Sequence, residues 1–274
     1  MLDRRVLSRL GQSHGTTGEG RHRHRWLPAV AVAALAAVAF AAVWTGMHRA
    51  PVDDTVGDVA RVGVVDGQQV SSYLAGSRNE LASLDGQSRA PLYALVSFGS
   101  YVEPAVAQSL LADLPTSRVV SRVPLAGVQT EIVTLPVDTF AADVPAGMRR
   151  TASRKEADAR EADRLVRGLT GSGDREQRLR DFYVHDAAAL RAEAASYRRL
   201  CACLYAAVVR ATPERLRELA GRPGIRAVDP APQVRRLDRA VFVPLLPEQT
   251  TVVTPPADEG LTSAPSPSST RGAR

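Results

Sequence analysis

The chain has 274 residues, enough for one or two domains with a hydrophobic core, and a formal net charge of +6. Residues 1–26 contain six arginines and two acidic residues, so this short arm alone has a net charge of 6 − 2 = +4. Because the remaining chain is close to neutral, the charge indicates a membrane topology signal, and we expect no nucleic-acid partner.

Residues 27–47 form an uncharged apolar segment, LPAVAVAALAAVAFAAVWTGM. A helix of this length matches the hydrocarbon core of a bilayer, about 30 Å thick, so the segment is predicted to be a transmembrane helix. Basic and indole side chains near the two ends are typical of membrane-interface anchors. The predicted anchors are Arg21, Arg23, Arg25, Trp26 and Trp44.

The orientation follows from the basic arm. The positive-inside rule places residues 1–26 in the cytoplasm and the chain after residue 48 outside the plasma membrane. The alternative is a cleaved signal peptide, for which Ala39-Phe40-Ala41 fits a small-x-small cleavage site. We favour an uncleaved signal-anchor in a single-pass protein, because the arm and the apolar segment are both long for a signal peptide.

A juxtamembrane segment is predicted over residues 48–90. VARVGVV (59–65) is typical of a strand, and the spacing of apolar residues over 68–84 predicts an amphipathic helix. This segment is interpreted either as a stalk or as the first element of an exterior domain.

The exterior domain is predicted to span residues 91–246 and to begin with a strand–helix–strand unit. LYALVSF (92–98) predicts a strand, and Pro104 suits the first turn of a helix. Strands over 117–125 and 130–137 are then expected to form a hairpin. The helix is predicted to place four apolar residues inward: Val106, Leu110, Leu111 and Leu114.

Residues 148–200 are dense in charge and alanine and are predicted to be an inserted, coiled-coil-like helical hairpin. Its helices are expected over about 152–168 and 174–200, separated by the Gly-rich GLTGSG. The charged remainder is interpreted as a solvated surface. One apolar stripe is predicted on the second helix: Leu179, Phe182, Tyr183, Leu190, Ala194, Tyr197 and Leu200.

A second strand–helix–strand unit follows the insert. LYAAVVR (204–210) echoes the first unit, Thr212 is a predicted N-cap, and a return strand is expected over 225–230. Internal duplication and a shared pattern without duplication both explain the echo. AVFVPLL (240–246) is predicted to add an edge strand, and the Pro/Ser/Thr-rich residues 247–274 are predicted to be disordered.

Two such units predict an α+β fold of the ferredoxin-like type, a four-stranded antiparallel sheet with two helices on one face. Within residues 203–232, TPERLRELAGRPGIRAVDPAP (212–232) resembles the closing half of subtilisin-type propeptide inhibitor domains. That resemblance implies the same fold and an inhibitor-like role. The overall layout is similar to that of uncharacterised actinobacterial single-pass membrane proteins, which implies no activity.

Cys201-Ala202-Cys203 is the sharpest local motif of the chain. In an extended strand its two thiols share a face, and the exterior compartment permits oxidation. Buried small side chains, a disulfide, and a metal or redox pair are the three interpretations. No catalytic, nucleotide-binding or metal-binding sequence motif is present, so we expect no cofactor.

The sequence therefore predicts a membrane-anchored, non-enzymatic exterior domain that binds or scaffolds another cell-envelope protein. The alternatives are an inhibitor-like or chaperone-like module for an exported peptidase and, third, a thiol-based envelope enzyme. The oligomeric state and the identity of the partner are not encoded in any motif found.

Overall fold

The computed structural model describes residues 59–84, 90–112 and 114–255. The predicted basic arm, the predicted membrane span and the five predicted interface anchors lie outside these residues. Within the described ranges, none of the helices combines the length and the apolar character needed to cross a bilayer.

The described residues contain seven strands and five α-helices. The strands are β1 (Ala60–Gly63), β2 (Leu92–Val102), β3 (Thr116–Ser121), β4 (Val133–Pro136), β5 (Leu204–Ala211), β6 (Ile225–Ala231) and β7 (Ala240–Val243). The helices are α1 (Val70–Ser83), α2 (Pro104–Leu111), α3 (Phe140–Gly168), α4 (Asp174–Arg198) and α5 (Pro213–Ala220). The predicted α+β class is confirmed.

Five strands form one antiparallel sheet in the order β4-β3-β5-β2-β6. The two strand–helix–strand units, β2-α2-β3 and β5-α5-β6, are interleaved in it. β5 separates the strands of the first unit, and β2 separates those of the second. Neither unit forms a continuous sheet without the other, so the two units are expected to fold together.

Both faces of this sheet are covered. Helices α2 and α5 and the base of the α3–α4 hairpin cover one face, and the β1–β7 ribbon covers part of the other. The central strand β5 is therefore buried on both sides, with only Arg210 exposed among its eight residues. This burial explains why its apolar run shows no alternation with polar residues.

Helix α5 forms as its sequence predicts. The Thr212 hydroxyl accepts a hydrogen bond from the Arg215 backbone N–H, which satisfies one of the unpaired donors of the first turn. Pro213 occupies the first turn, where its missing N–H costs nothing. Leu216 and Leu219 are buried against the sheet.

The predicted inward face of α2 is wrong at Val106, whose side chain is 47% exposed. Ala107 and Leu111 are the buried positions of this helix. In a short helix with apolar residues on several sides, spacing alone does not identify the buried side. The sheet surface selects the stripe that contains the small Ala107 side chain, which permits close approach.

Helix α3 begins twelve residues before the predicted start at 152 and contains Pro145 in its second turn. There the proline removes one helical hydrogen bond and crowds the preceding turn. The Asp143 carboxylate accepts hydrogen bonds from the backbone N–H groups of Asp138 and Thr139, at 2.8 and 2.6 Å. These backbone hydrogen bonds, that of Thr139 first, lower the pKa of Asp143.

The predicted edge strand near residue 240 is not at the edge of the main sheet. β7 pairs in parallel with β1 and forms a separate two-stranded ribbon. Gly63 ends β1 with φ +108°, and a Cβ at this position would lie 2.0 Å from the Val243 carbonyl oxygen. Only glycine allows the two strands to approach this closely.

The prediction that disorder begins at residue 247 is wrong for residues 247–255, which pack on the domain. The buried Arg122 guanidinium donates hydrogen bonds from Nη1 to the Glu248 carboxylate (2.5 Å) and to the Tyr101 hydroxyl (3.0 Å). Val253 is buried beside α1. Proline-rich composition predicts disorder, but these contacts offset the entropy cost of ordering the segment. Residues 256–274 lie outside the described residues.

The segment predicted as juxtamembrane is the first part of the folded domain rather than a stalk. Helix α1 packs against edge strand β6, with Val70, Tyr73, Ser77 and Leu81 buried. The Tyr73 hydroxyl donates a hydrogen bond of 3.3 Å to the buried Asp229 carboxylate. Burial, and secondarily the nearby Glu80, raises the pKa of Asp229 to about 6.

Asp229→Asn tests the cost of this buried carboxylate. The folded-state pKa lies above the unfolded value of 3.8, so folding favours the neutral form, and the benefit is lost as pH rises from about 4 to about 6. We expect the variant to match the wild type near pH 4 and to exceed its unfolding free energy at pH 7 by up to about 3 kcal/mol. Urea denaturation at both pH values measures the difference, and a pH-independent difference contradicts the account.

Candidate interaction surface: the helical hairpin

Helices α3 and α4 pack along each other as an antiparallel pair. Cross-helix ion pairs join Arg198 to Glu156 and Arg191 to Asp163, so residue numbers fall on one helix as they rise on the other. Five of the eight buried residues of α3 follow alternating spacings of four and three residues, which is a heptad seam. They are Met148, Ala152, Lys155, Ala159 and Ala162.

Alanine dominates the seam on both helices, since Ala187 and Ala194 are buried on α4. Small side chains let two helices approach closely but bury little apolar area for each turn. The seam is therefore narrow, and we infer that polar contacts at its base help to fix the register of the two helices.

The base of the hairpin is fixed to the sheet by Tyr197, which is fully buried. Its hydroxyl lies 3.1 Å from the Ser121 hydroxyl on β3. On α3, Gly147 packs against Leu135 of β4, where an added Cβ would lie 3.1 Å from the leucine side chain. The first turns of the hairpin are thus part of the core of the domain.

Lys155 joins both helices to the β3–β4 connection. It is the only lysine among 35 basic residues, and it is 3% exposed. Its Nζ lies 2.8 Å from the Glu193 carboxylate of α4 and 2.9 Å from that of Glu131. Glu193 is also 3% exposed, so this ion pair is withdrawn from water.

The carboxylates of this cluster respond to opposing effects. Burial raises the pKa of Glu193, and the hydrogen bond from Lys155 counteracts part of that rise. At Glu131, burial alone would raise the pKa, but hydrogen bonds from Arg154 and Lys155 outweigh it and lower the pKa. The lysine therefore stabilises two carboxylates that come from different elements.

The sequence did not identify Lys155 as a structural residue. A signal was present, because one lysine stands among 34 arginines. An arginine would bring a wider, planar group into the same buried seam, whereas the lysine ammonium is compact.

The distal half of the hairpin has no buried core. No residue between 163 and 186 is buried, whereas seam residues on both sides of this interval are. At about 1.5 Å per residue, α3 and α4 are roughly 44 and 38 Å long. The connection and the adjacent turns therefore expose both helices to solvent.

Four large apolar side chains are exposed on this distal half: Leu165, Leu179, Phe182 and Val184, with exposed fractions of 38–51%. Leu179 and Phe182 are three residues apart on α4 and share a helix face, and we call these two the distal patch. The predicted apolar stripe of α4 is thus wrong at Leu179 and Phe182, which face solvent. Near the base the stripe holds, because Ala194 and Tyr197 are buried there.

The charges around the distal patch balance. Residues 163–186 contain five arginines and five acidic residues, a net charge of 5 − 5 = 0. A nucleic acid or an anionic membrane would favour an excess of positive charge. A mixed-charge rim around exposed aliphatic and aromatic side chains is typical of protein–protein contact surfaces.

The two cysteines lie where the hairpin returns to the sheet. Cys201 and Cys203 are joined in a disulfide, with their Cα atoms 5.3 Å apart. Leu200 precedes them with φ +56° and ends α4 in a Schellman motif. In this motif the Leu200 N–H donates a hydrogen bond to the Tyr197 carbonyl, and the Cys201 N–H donates one to the Ser196 carbonyl.

A groove of about 370 Å³ lies beside this return, between the N-termini of α2 and α3 and the end of α4. Its walls include Pro104, Phe140, Pro145, Arg199 and Leu200. Within the part of the chain that the structure describes, no group of three or more His, Cys, Asp or Glu side chains is placed to hold a metal ion.

Comparisons with protein-family models, with curated proteins and with solved structures find no match to this chain.

Replacing Lys155 with methionine tests the anchor of the hairpin. The variant leaves the buried Glu193 carboxylate without its cation, so we expect a loss of roughly 3–5 kcal/mol in unfolding free energy. The double variant Lys155→Met, Glu193→Leu removes both charges and should recover most of that loss. Equilibrium urea denaturation measures all three proteins.

Arg164→Ala is the matched control, because it breaks the exposed Arg164–Glu161 pair on the same helix. We expect a change within about 0.5 kcal/mol for it. A Lys155→Met variant as stable as this control would contradict the assigned role.

Proposed function

We propose that this chain is a membrane-anchored, non-catalytic protein whose exterior domain binds another protein of the cell envelope through the distal patch. The single observation that carries the proposal is the set of large apolar side chains exposed on the distal half of the hairpin. The charge-free segment 27–47 and the basic arm before it support the anchor and its orientation.

The architecture supports a presenting role for the hairpin. Its base is built into the core through Met148, Ala152 and Tyr197. In its distal half no side chain is buried between the two helices. A helical pair fixed at one end leaves its other end accessible to a partner.

The chemistry of the distal patch specifies its partner. Phe182 is the largest exposed apolar side chain of the described residues, and its ring packs edge-on against Tyr183 at 5.4 Å between centroids. An aromatic anchor of this kind favours an apolar groove on the partner, with polar groups around it that pair with the mixed charges of the rim.

The topology supports a ferredoxin-like core for the domain. Strands β3-β5-β2-β6 are in the order that two interleaved βαβ units of that type produce, and β4 extends the sheet beyond β3. The hairpin is inserted between β4 and β5.

Site-specific photocrosslinking in intact cells tests the proposed surface. A photoreactive residue at position 182 is expected to capture a discrete envelope protein, whereas one at Ile132, which is also about half exposed, is not. Leu179→Ser combined with Phe182→Ser should reduce that capture at least about tenfold, since central aromatic residues dominate interface energies.

Ile132→Ser combined with Val241→Ser is the matched control, because it removes two equally exposed apolar side chains elsewhere on the domain. Equal capture from positions 182 and 132, or capture that survives the Leu179→Ser, Phe182→Ser variant, would contradict the proposal.

An inhibitor-like role for an exported subtilisin-type peptidase is a second proposal, and the local path of residues 212–231 supports it. A capped helix α5, the Pro223-Gly224 turn and the return strand β6 follow the order found in the propeptide inhibitors it resembles. Inhibition of such proteases by the purified exterior domain would favour it, and none across a panel would exclude it.

A further inference from the structure

The Cys201–Cys203 disulfide closes a very short covalent loop, because only Ala202 lies between the two cysteines. A cross-link stabilises a fold mainly by restricting the unfolded chain, and this effect is smallest for the shortest loops. Stability alone therefore gives little reason for a disulfide at this place.

The backbone at this point is also held without the disulfide. Leu200 and Cys201 close the end of α4 with two hydrogen bonds to carbonyls of the helix, and the Cys203 carbonyl accepts a hydrogen bond of 2.9 Å from the Arg122 N–H. The helix end and the start of β5 are thus each fixed by main-chain contacts. Reduction of the disulfide is expected to leave the fold in place.

The two cysteines differ in exposure. Cys203 is fully buried in the core beneath the helices, whereas Cys201 is half-buried. Arg199 and Leu200, directly before Cys201, line the open groove. We therefore expect a reagent from solvent to reach Cys201 before Cys203.

The local charge favours an incoming thiolate. Arg199 lies two residues before Cys201, and its exposed side chain lines the groove, whereas Arg198 before it is paired with Glu156. Cationic neighbours stabilise a thiolate at the point of attack and lower the pKa of a cysteine that is released there.

We propose that the Cys201–Cys203 disulfide is a thiol–disulfide exchange site whose substrate is a dithiol or disulfide of another envelope protein. In the reducing direction, a partner thiolate attacks the Cys201 sulfur and forms a mixed disulfide. The bond to Cys203 breaks, and its electron pair goes to the Cys203 sulfur, which takes a proton. The second thiol of the partner then attacks the mixed disulfide, which releases Cys201 as a thiol and leaves the partner oxidised.

This site is independent of the proposed protein-binding function of the distal patch. The patch lies at Leu179 and Phe182, whereas the exchange site lies at the base of the hairpin, where α4 returns to β5. Failure of one proposal therefore leaves the other intact.

Glutathione disulfide serves as the probe in the test, with the full-length protein in detergent. Cys203→Ser leaves the accessible Cys201 thiol, and Cys201→Ser leaves the buried Cys203 thiol as the matched control. Intact-mass spectrometry follows the formation of the glutathione mixed disulfide with time. We expect the Cys203→Ser variant to react at least about tenfold faster, and the two rates to converge in urea.

The wild-type protein provides a second measurement that does not depend on the variants. Dithiothreitol without denaturant should reduce the disulfide while the far-UV circular dichroism stays unchanged. Equal reaction of the two variants in the folded protein would overturn the proposal. Reduction that requires urea, or that unfolds the protein, would overturn it as well, because the disulfide would then be structural.

Discussion

The buried ion pair between Lys155 and Glu193 is the contact on which the rest of the hairpin depends. Around it the α3–α4 seam consists mostly of alanine, which lets helices approach but buries little apolar area. A charge pair withdrawn from water is costly to break from one side only, so it fixes the register of the two helices. The reach of Lys155 to Glu131 connects that register to the sheet.

The covering of the sheet is consistent with the proposal that a partner binds on the hairpin. Helices and the hairpin base occupy one face, and the β1–β7 ribbon and the residues after it cover part of the other. Edge strand β6 is covered by α1, which reduces its availability for pairing with another chain. The distal half of the hairpin exposes four large apolar side chains, among them the largest exposed one of the described residues, Phe182.

Local signals in the sequence predicted most of the elements, because caps, prolines and apolar runs act within a few residues. Thr212 and Pro213 predicted the start of α5, and the runs at 92 and 204 predicted the two central strands. Contacts between segments that are far apart in the chain were harder to predict. The pairing of β7 with β1 depends on the close approach of the two strands at Gly63. The ordered conformation of residues 247–255 depends on contacts with Arg122, which is more than a hundred residues away in the chain.

The candidate site was likewise predicted only in part from the sequence. The hairpin followed from composition and its Gly-rich break, but the exposure of Leu179 and Phe182 did not. An apolar stripe predicts burial only where a partner surface exists, and the seam ends before these residues. The burial of Lys155 was not predicted, because charged side chains on an arginine-rich helix are normally exposed to solvent.

Hydrogen exchange of the backbone amides along α3 and α4 tests most directly whether the hairpin is anchored at its base. The account predicts strong protection over 144–162 and 187–197, close to that of strand β5, and weak protection over 163–186. In Lys155→Met the base should lose protection, and the sheet should lose no more than the fall in global unfolding free energy explains. Uniform exchange along both helices, or a base unaffected by the substitution, would contradict the account.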